Sequence, residues 1–372
     1  MTLAVAYVIE QCWHAVPGGT AGSALGVARA LVQRDDVSLV GVSARHREPP
    51  ADPWRPPMPV RQLPLPRLAL YESWHTLRRP RVERATGPVD VIHATGMAIP
   101  PRTAPLVVTV HDLAFVHHPE HATRVGQRFF RRSLELTLRD ADLVLCPSET
   151  TRRDCLDHGF AAERVRVVPW GVDLPPAEAD EDEHAAATRA LVADQGLEPG
   201  RYVLWVGTIE PRKNLAAVAD AFARLDRRDL TLAIVGPQGW NEDLPAHLAP
   251  IESRVRVLGF VPKPVLDALY AHAVAFCYPS LMEGFGMPVL EAMAAGAAVV
   301  TSKGTATEEV LGGCGLAVDP RDADAIADAL AALVDDAELR ARFASSARAR
   351  AATFTWELAA ERTLDAYRSV AP

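Results

Sequence analysis

Two short segments hold most of the residues that could do chemistry. The first runs Ser280-Leu-Met-Glu283-Gly284-Phe285-Gly286-Met287-Pro288-Val-Leu-Glu291 and follows an apolar run, Ala275–Tyr278, that reads as a strand. Gly284 and Gly286 let the backbone approach a ligand and adopt positive φ. Pro288 suits the start of a helix, whose first N–H groups are free to meet an anion such as phosphate. Glu291 falls near the end of the first helical turn. A carboxylate there would repel a phosphate, so it suits the hydroxyls of a ribose or sugar. The second segment, Val206-Gly207-Thr208-Ile209-Glu210-Pro211-Arg212-Lys213-Asn214-Leu215, again leads from a strand into a helix. Arg212 and Lys213 put two cations at a predicted helix N-terminus, where the dipole disfavours them unless an anion lies between. The spacing is not that of a P-loop.

Other candidates are single residues or weaker patterns. His111-Asp112 ends the run Val108-Thr109-Val110, and His93 ends another, Val89–His93. His14 precedes a Gly-rich turn, Val16-Pro17-Gly18-Gly19-Thr20-Ala21-Gly22, between the first strand and first helix, without dinucleotide spacing. Arg124, Arg128, Arg131 and Arg132 share helical spacing with Phe129 and Phe130 interleaved. That helix offers peripheral contact with an anionic membrane, or is a solvated helix with its aromatic residues in the core.

These residues must be positioned by alternating strands and helices. Strand patterns occur at Leu3–Ile9, Val37–Val42, Val89–His93, Leu106–Val110 and Leu143–Cys146. They resume at Arg201–Val206, Leu230–Val235, Val255–Leu258, Ala275–Tyr278 and Ala297–Thr301. Helical patterns lie between them, including 21–33, 124–139, 215–225, 265–271, 289–295 and 323–334. This alternation predicts parallel sheets with right-handed crossovers. The pattern restarts after an acidic stretch near 174–184, so two α/β domains are expected. Ligands of open α/β sheets bind at the strands' carboxyl ends, which makes a cleft between the domains the default site. Eight prolines in residues 46–66 exclude a helix or central strand there and predict a surface loop.

Composition narrows the class further. The 372 residues are 49% hydrophobic and 23% charged, as in a folded globular protein. No apolar run reaches the ~18 residues of a membrane-spanning helix. The five cysteines are widely spaced and include no CxxC pair, so a reducing cytosol is expected. A net charge of −8 disfavours nucleic acid as a partner. It divides into +4 over residues 1–170 and −12 over the remainder. The basic half is where an anionic acceptor or surface would dock.

Taken together these segments resemble glycosyltransferase family 4, the retaining enzymes of GT-B fold. The resemblance spans nearly the whole chain. It is carried by Gly18-Gly19, Val110-His111-Asp112, Pro147-Ser148-Glu149-Thr150, Gly171-Val172-Asp173, Gly207-Thr208 to Asn214, Leu258-Gly259-Phe260-Val261 and Glu283 to Glu291. Glu309-Val310 and Val318-Asp319-Pro320 extend it. Trp170, where many members have Asn, and Ala298, where Pro is common, depart from the pattern. The implied fold is two Rossmann-like, doubly wound parallel-sheet domains facing across a cleft. Residues 1–173 would form the acceptor-binding domain, 174–199 a linker, 200–354 the nucleotide-sugar domain, and 355–372 a helix crossing back to the first.

The resemblance also implies roles. His111, Glu283, Arg212 and Lys213 would be catalytic. Arg212 and Lys213 would hold the donor pyrophosphate. Glu291 would bind the ribose. Glu283, with the backbone of Phe285 and Gly286, would contact the donor sugar. His111 would sit beside the reacting carbon. Gly18 and Gly19 would approach the phosphates and sugar, Phe260 and Val261 would hold the base, and Gly207, Thr208, Gly284 and Met287 would complete the donor site.

The implied reaction is front-face glycosyl transfer with retention, the leaving diphosphate taking the acceptor proton. Arg212 and Lys213 would stabilise the diphosphate where other sugar transferases use Mg²⁺. No Asp-x-Asp pattern stands in a suitable loop, so no metal or cofactor is expected. The stretch Val108–Leu113 is most similar to bacterial mannosyltransferases of polysaccharide assembly, which implies GDP-mannose as donor and a glycan or lipid-linked glycan as acceptor. A UDP-sugar donor, or a non-catalytic sugar-nucleotide-binding protein, is the alternative. The expected location is the cytoplasm, with peripheral contact at the inner face of the membrane.

Overall fold

The structure, a computed structural model, describes residues 2–119, 123–174, 181–239 and 244–372. The chain divides into two compact units, one formed by Met1–Gly171 with Phe354–Pro372, the other by Val172–Thr353.

The first unit is built on seven strands: β1 (Leu3–Val8), β2 (Val37–Ser43), β3 (Val60–Gln62), β4 (Val91–Ala94), β5 (Leu106–Thr109), β6 (Leu143–Cys146) and β7 (Val165–Val167). Their order is β3-β2-β1-β4-β5-β6-β7, and every pairing is parallel. The second holds six: β8 (Tyr202–Val206), β9 (Thr231–Val235), β10 (Val255–Gly259), β11 (Ala275–Tyr278), β12 (Val299–Ser302) and β13 (Leu316–Val318). Their order is β10-β9-β8-β11-β12-β13, again all parallel. Each sheet reverses winding direction once, between β1 and β4 and between β8 and β11. At such a point adjacent strand-end loops run to opposite faces and leave a crevice.

β4, β5, β6, β8 and β11 are buried along their whole length, which is why they read as continuous apolar runs. β3, β7 and β13, each of three residues, escaped that reading because they are too short to show periodicity. β3 corrects the expectation of a loop throughout 46–66. It uses the proline-free stretch after Pro59 and pairs with β2 at the sheet edge, the position that a proline-rich neighbourhood tolerates.

The last helix, Trp356–Val370, packs on helix Gly18–Leu31 within the first unit. Their closest approach is at Gly26, where a Cβ would run into the Trp356 indole. Buried Tyr367 donates its hydroxyl toward His93 Nδ1 at 2.6 Å. Residues 174–199, expected as a linker, carry helix Glu181–Asp194, which packs on helix Lys263–His272 and belongs to the second unit. Residues 175–180 of that stretch lie outside the described residues.

Candidate active site

Both chemistry-bearing segments fall at strand ends flanking the reversal point of the second sheet. Gly207 and Thr208 continue directly from β8. The Gly207 N–H donates to Val235 O at 2.9 Å, and a Cβ on Gly236 (φ +134°) would strike the Gly207 carbonyl. The ends of β8 and β9 therefore touch backbone to backbone, which no side chain at Gly236 would permit.

Arg212 and Lys213, expected at a helix N-terminus, stand just before one. Pro211–Lys213 is a single 3₁₀ turn, Asn214 adopts the left-handed conformation (φ +58°), and the helix starts at Leu215. The Asn214 amide donates to Pro279 O at 2.9 Å and to Pro320 O at 2.6 Å. It thereby pins the loop after β8 to the loop after β11. The sharp backbone reversal at Asn214 turns both cations toward Glu283.

Glu283 is the hub. Its Oε1 accepts from Tyr278 Oη at 2.8 Å, from Ser280 Oγ at 2.9 Å and, closer still, from Lys213 Nζ. Arg212 Nη1 lies 3.3 Å from Glu283 Oε2, and Arg212 Nε lies 2.6 Å from Glu210 Oε1. Lys213 also sits over the Tyr278 ring, 5.4 Å from its centroid. Burial alone would push the Glu283 carboxyl up. Lys213 and Arg212 outweigh it and hold the group down at about 2. Burial acts on Lys213 in the opposite sense and lowers its ammonium below the usual lysine value, with Glu283 supporting the charged form. Two carboxylates and two cations thus form a neutral, almost solvent-free cluster. The anion that the cation pair called for is supplied by the protein itself, and a diphosphate arriving here has to compete with Glu210 and Glu283.

Helix Met287–Ala295 begins at Gly286, with Pro288 in its first turn. Gly286 has φ +105°, and a Cβ there would come within 2.7 Å of Thr307 Cγ2, so glycine is required twice over. Gly284, expected to share this freedom, does not adopt positive φ. Glu291, half-buried on that helix, accepts from Tyr270 Oη at 3.2 Å. Burial pushes its carboxyl up to about 7. Lys263 and the Tyr270 hydroxyl pull it down, while Asp267 and Asp173 oppose them. The Phe285 side chain is buried in the core. Phe260 is exposed and Val261 buried. Both follow β10, the edge strand two positions from the reversal point.

The first unit contributes differently. His111 follows β5, and its Nε2 donates to Thr95 O, 2.8 Å away beyond the end of β4. This fixes the tautomer with the lone pair on Nδ1. Nδ1 is buried and has no hydrogen-bond partner. Burial lowers the His111 pKa, so the ring is neutral at pH 7. The ring lines a cavity of about 20 Å³ with Ser23, Thr109 and Trp170, and the Trp170 ring lies 5.3 Å away. Gly18 (φ +60°) and Gly19 open helix Gly18–Leu31 at the end of the loop after β1, and the space a Cβ would fill at either is open. His93 is a structural residue, held between Tyr367 and Thr109. His14 lies 3.4 Å from the Tyr71 hydroxyl, and burial pushes its pKa down to about 4.

The arginine helix has a place in the fold without a bilayer. Phe129 stacks on Tyr71 and His75, and Phe130 stacks on Phe115. Arg132 pairs with Glu135 at 2.9 Å, and Arg128 lies 3.6 Å from Glu72. Among the described residues no helix is long and apolar enough to cross a membrane.

Comparisons with known proteins place the family and the fold. Residues 17–175 match the family described as Glycosyltransferase Family 4, and residues 190–350 match Glycosyl transferases group 1. The O-antigen chain mannosyltransferase B of Escherichia coli is 32% identical over 290 residues, covering 75% of this chain and 74% of that protein. The chain belongs to glycosyltransferase family 4. The MMP alpha-(1->4)-mannosyltransferase of Mycolicibacterium hassiacum is 30% identical, covering 87% of this chain and 83% of its own. Among solved structures, Anabaena HepE in complex with UDP-glucose superposes with a TM-score of 0.75 at 21% identity, covering 99% of this chain and 100% of that one. The fold is GT-B, and this family 4 glycosyltransferase is an enzyme.

Several residues that build the site of this family 4 glycosyltransferase were not singled out in the sequence. Glu210 is visible there only as an acid two residues before Arg212. Tyr278 and Tyr270 look like core aromatics, since nothing local shows that their hydroxyls meet Glu283 and Glu291. Trp170 stood out as a departure from the family pattern, but its packing on His111 joins residues 59 apart in the chain.

Proposed function

We propose that the enzyme transfers mannose from GDP-mannose to a hydroxyl of a glycan or lipid-linked glycan, with retention at the anomeric carbon and without a metal. The observation that carries this reading is the buried convergence of Arg212 and Lys213 on Glu283 beside the second sheet's reversal point. Two cations held by protein carboxylates are already positioned where negative charge develops on a leaving diphosphate. In the transfer the bond from the anomeric carbon to the phosphate oxygen breaks, and its electron pair stays on the diphosphate. The acceptor oxygen bonds to the same face of that carbon. Its proton passes to the departing phosphate oxygen. Arg212 and Lys213 carry the charge that Mg²⁺ carries in other sugar transferases. Glu291 accepts from the ribose hydroxyls. The His111 Nδ1 lone pair accepts from a donor-sugar hydroxyl, a role that only its neutral form can fill. Glu283 acts by orienting Lys213 and Arg212, and the backbone after Gly284 meets the sugar. Mannosyltransferase relatives at 30–32% identity support the choice of sugar.

The test is a transfer assay in EDTA, offering GDP-mannose, UDP-glucose and ADP-glucose with a mannan oligosaccharide acceptor. Expected is an α-linked mannoside formed from GDP-mannose alone. A β-linked product overturns retention. Turnover lost in EDTA and restored by Mg²⁺ overturns the metal-free step. Transfer from UDP-glucose alone overturns the donor.

A further inference from the structure

A cluster of metal-ligating side chains lies in the first unit and includes none of the residues assigned above. His117 ends the short helix Ala114–His117, which follows β5 and the His111-Asp112 pair. Asp154 lies in helix Glu149–Asp157 after β6, and His158 is the residue that closes it. His117 Nε2 stands 2.7 Å from Asp154 Oδ1, and His158 Nδ1 stands 3.2 Å from the same oxygen. One donor atom from each of the three residues falls within 4.8 Å of the others. The two imidazoles meet edge to face, with centroids 5.4 Å apart.

We propose that His117, Asp154 and His158 form a zinc site that ties the segment after β5 to the helix after β6. Two observations suit the set to a cation. First, one donor atom from each residue stands within 4.8 Å of the other two, so a small shift lets all three face one ion. Zinc with ligand bonds of about 2.0–2.1 Å holds tetrahedral donors about 3.3 Å apart, so the His158 contact at 3.2 Å is already near that spacing and the His117 contact at 2.7 Å has to open. Second, the set is nitrogen-rich and carries one charge, which suits zinc rather than Mg²⁺ or Ca²⁺. Asp154 and His158 are one helical turn apart, so the helix presents both to the same point. The His117 side chain is 41% exposed, which leaves room for water as the fourth ligand.

Ligation changes the present hydrogen bonds in a defined way. His117 turns its Nε2 lone pair to the ion and carries its proton on Nδ1. The His158 Nδ1, now 2.8 Å from the Asp154 carbonyl, exchanges that contact for the metal. The ion would act as a structural clip on the segment that bears His111. It would have no part in the reaction.

The test uses the full-length, tag-free chain stripped with EDTA and dialysed free of it. Zinc chloride alone is titrated by calorimetry, and cobalt(II) replaces it for absorption spectroscopy. Expected are one zinc per chain, a melting temperature that rises with zinc, and cobalt bands of tetrahedral intensity without a thiolate charge-transfer band. His117→Ala and Asp154→Asn should each weaken binding at least ~100-fold. His117→Ala removes an exposed side chain, so it keeps the test open if the Asp154 variant does not fold. Three results would overturn the proposal: no zinc bound at 1 mM, unchanged affinity in the folded His117 variant, or a thiolate band placing the metal on a cysteine.

Discussion

The ends of the two sheets handle charge in opposite ways. Beyond β8 and β11, Glu210, Arg212, Lys213 and Glu283 are paired with one another, with Arg212 half-buried, Glu210 and Lys213 buried, and the Glu283 side chain only 9% exposed. Beyond β4 and β5, His111 is held by one hydrogen bond, is neutral, and keeps an unpartnered lone pair. The second unit spends ionic pairing on holding two cations in fixed positions. The first offers a neutral acceptor and an open glycine backbone at Gly18 and Gly19. A group that must stabilise developing charge benefits from being locked before the ligand arrives. A group that reads a hydroxyl has only to keep an acceptor free.

The sharpest way to break this contrast is to remove the hub. Glu283→Gln leaves Lys213 and Arg212 buried beside a neutral amide, and breaking a buried pair from one side costs about 3 kcal/mol or more. Urea unfolding at pH 7 should show that loss. The carboxyl is held at about 2 in the folded chain, against roughly 4.3 unfolded. Its contribution is therefore complete above about pH 5 and fades as pH falls from about 4 toward 2. The gap between wild type and variant should close over that same range. A gap independent of pH would mean that Glu283 is not the ionised partner.

Lys213→Ala removes one of the two cations, and kcat/KM should fall at least ~100-fold, about 2.7 kcal/mol. Near-normal kinetics would take charge stabilisation away from this cluster. Gly286→Ala forces a side chain into positive φ and against Thr307, and should cost about 2 kcal/mol of stability. A melting temperature equal to wild type would show that the loop can relax.

Two smaller effects sharpen the comparison. If Glu291 binds ribose hydroxyls as a carboxylate, its ionised fraction limits affinity. With the group near 7, the Kd for GDP measured by calorimetry should tighten up to ~10-fold from pH 6 to pH 8. Glu291→Gln should flatten that dependence. His111→Ala should lower kcat only by about 3- to 10-fold, as expected for one neutral hydrogen bond. Because its pKa is lowered in the folded chain, His111 makes wild type lose stability as pH falls below about 6.5, and the variant should lose less over that range. An acid unfolding curve identical to wild type would mean that His111 is not held neutral.

Much of the architecture was legible in the sequence because buried parallel strands read as short apolar runs, and ten of them stood out between helical patterns. Gly286 and Asn214 were visible as residue types, but only their φ values and neighbours show what each position demands. The helix start after Arg212 and Lys213 was legible in the sequence, but the turn that separates them from it was not. The left-handed turn at Asn214 depends on carbonyls of Pro279 and Pro320, which are distant in sequence.

The sequence by itself determined the two α/β units and the family, and it singled out the candidates for holding a diphosphate and a ribose. Each of these rests on residue type and short-range spacing. Only the tertiary structure decided which charges compensate which. Pairing of Lys213 with Glu283 and of His111 with Thr95 joins different strand ends, and pairing of Tyr270 with Glu291 joins two helices, and burial there moves protonation by more than any neighbour in sequence could. The same holds for His117 and Asp154, whose convergence needs the loops after β5 and β6 to meet.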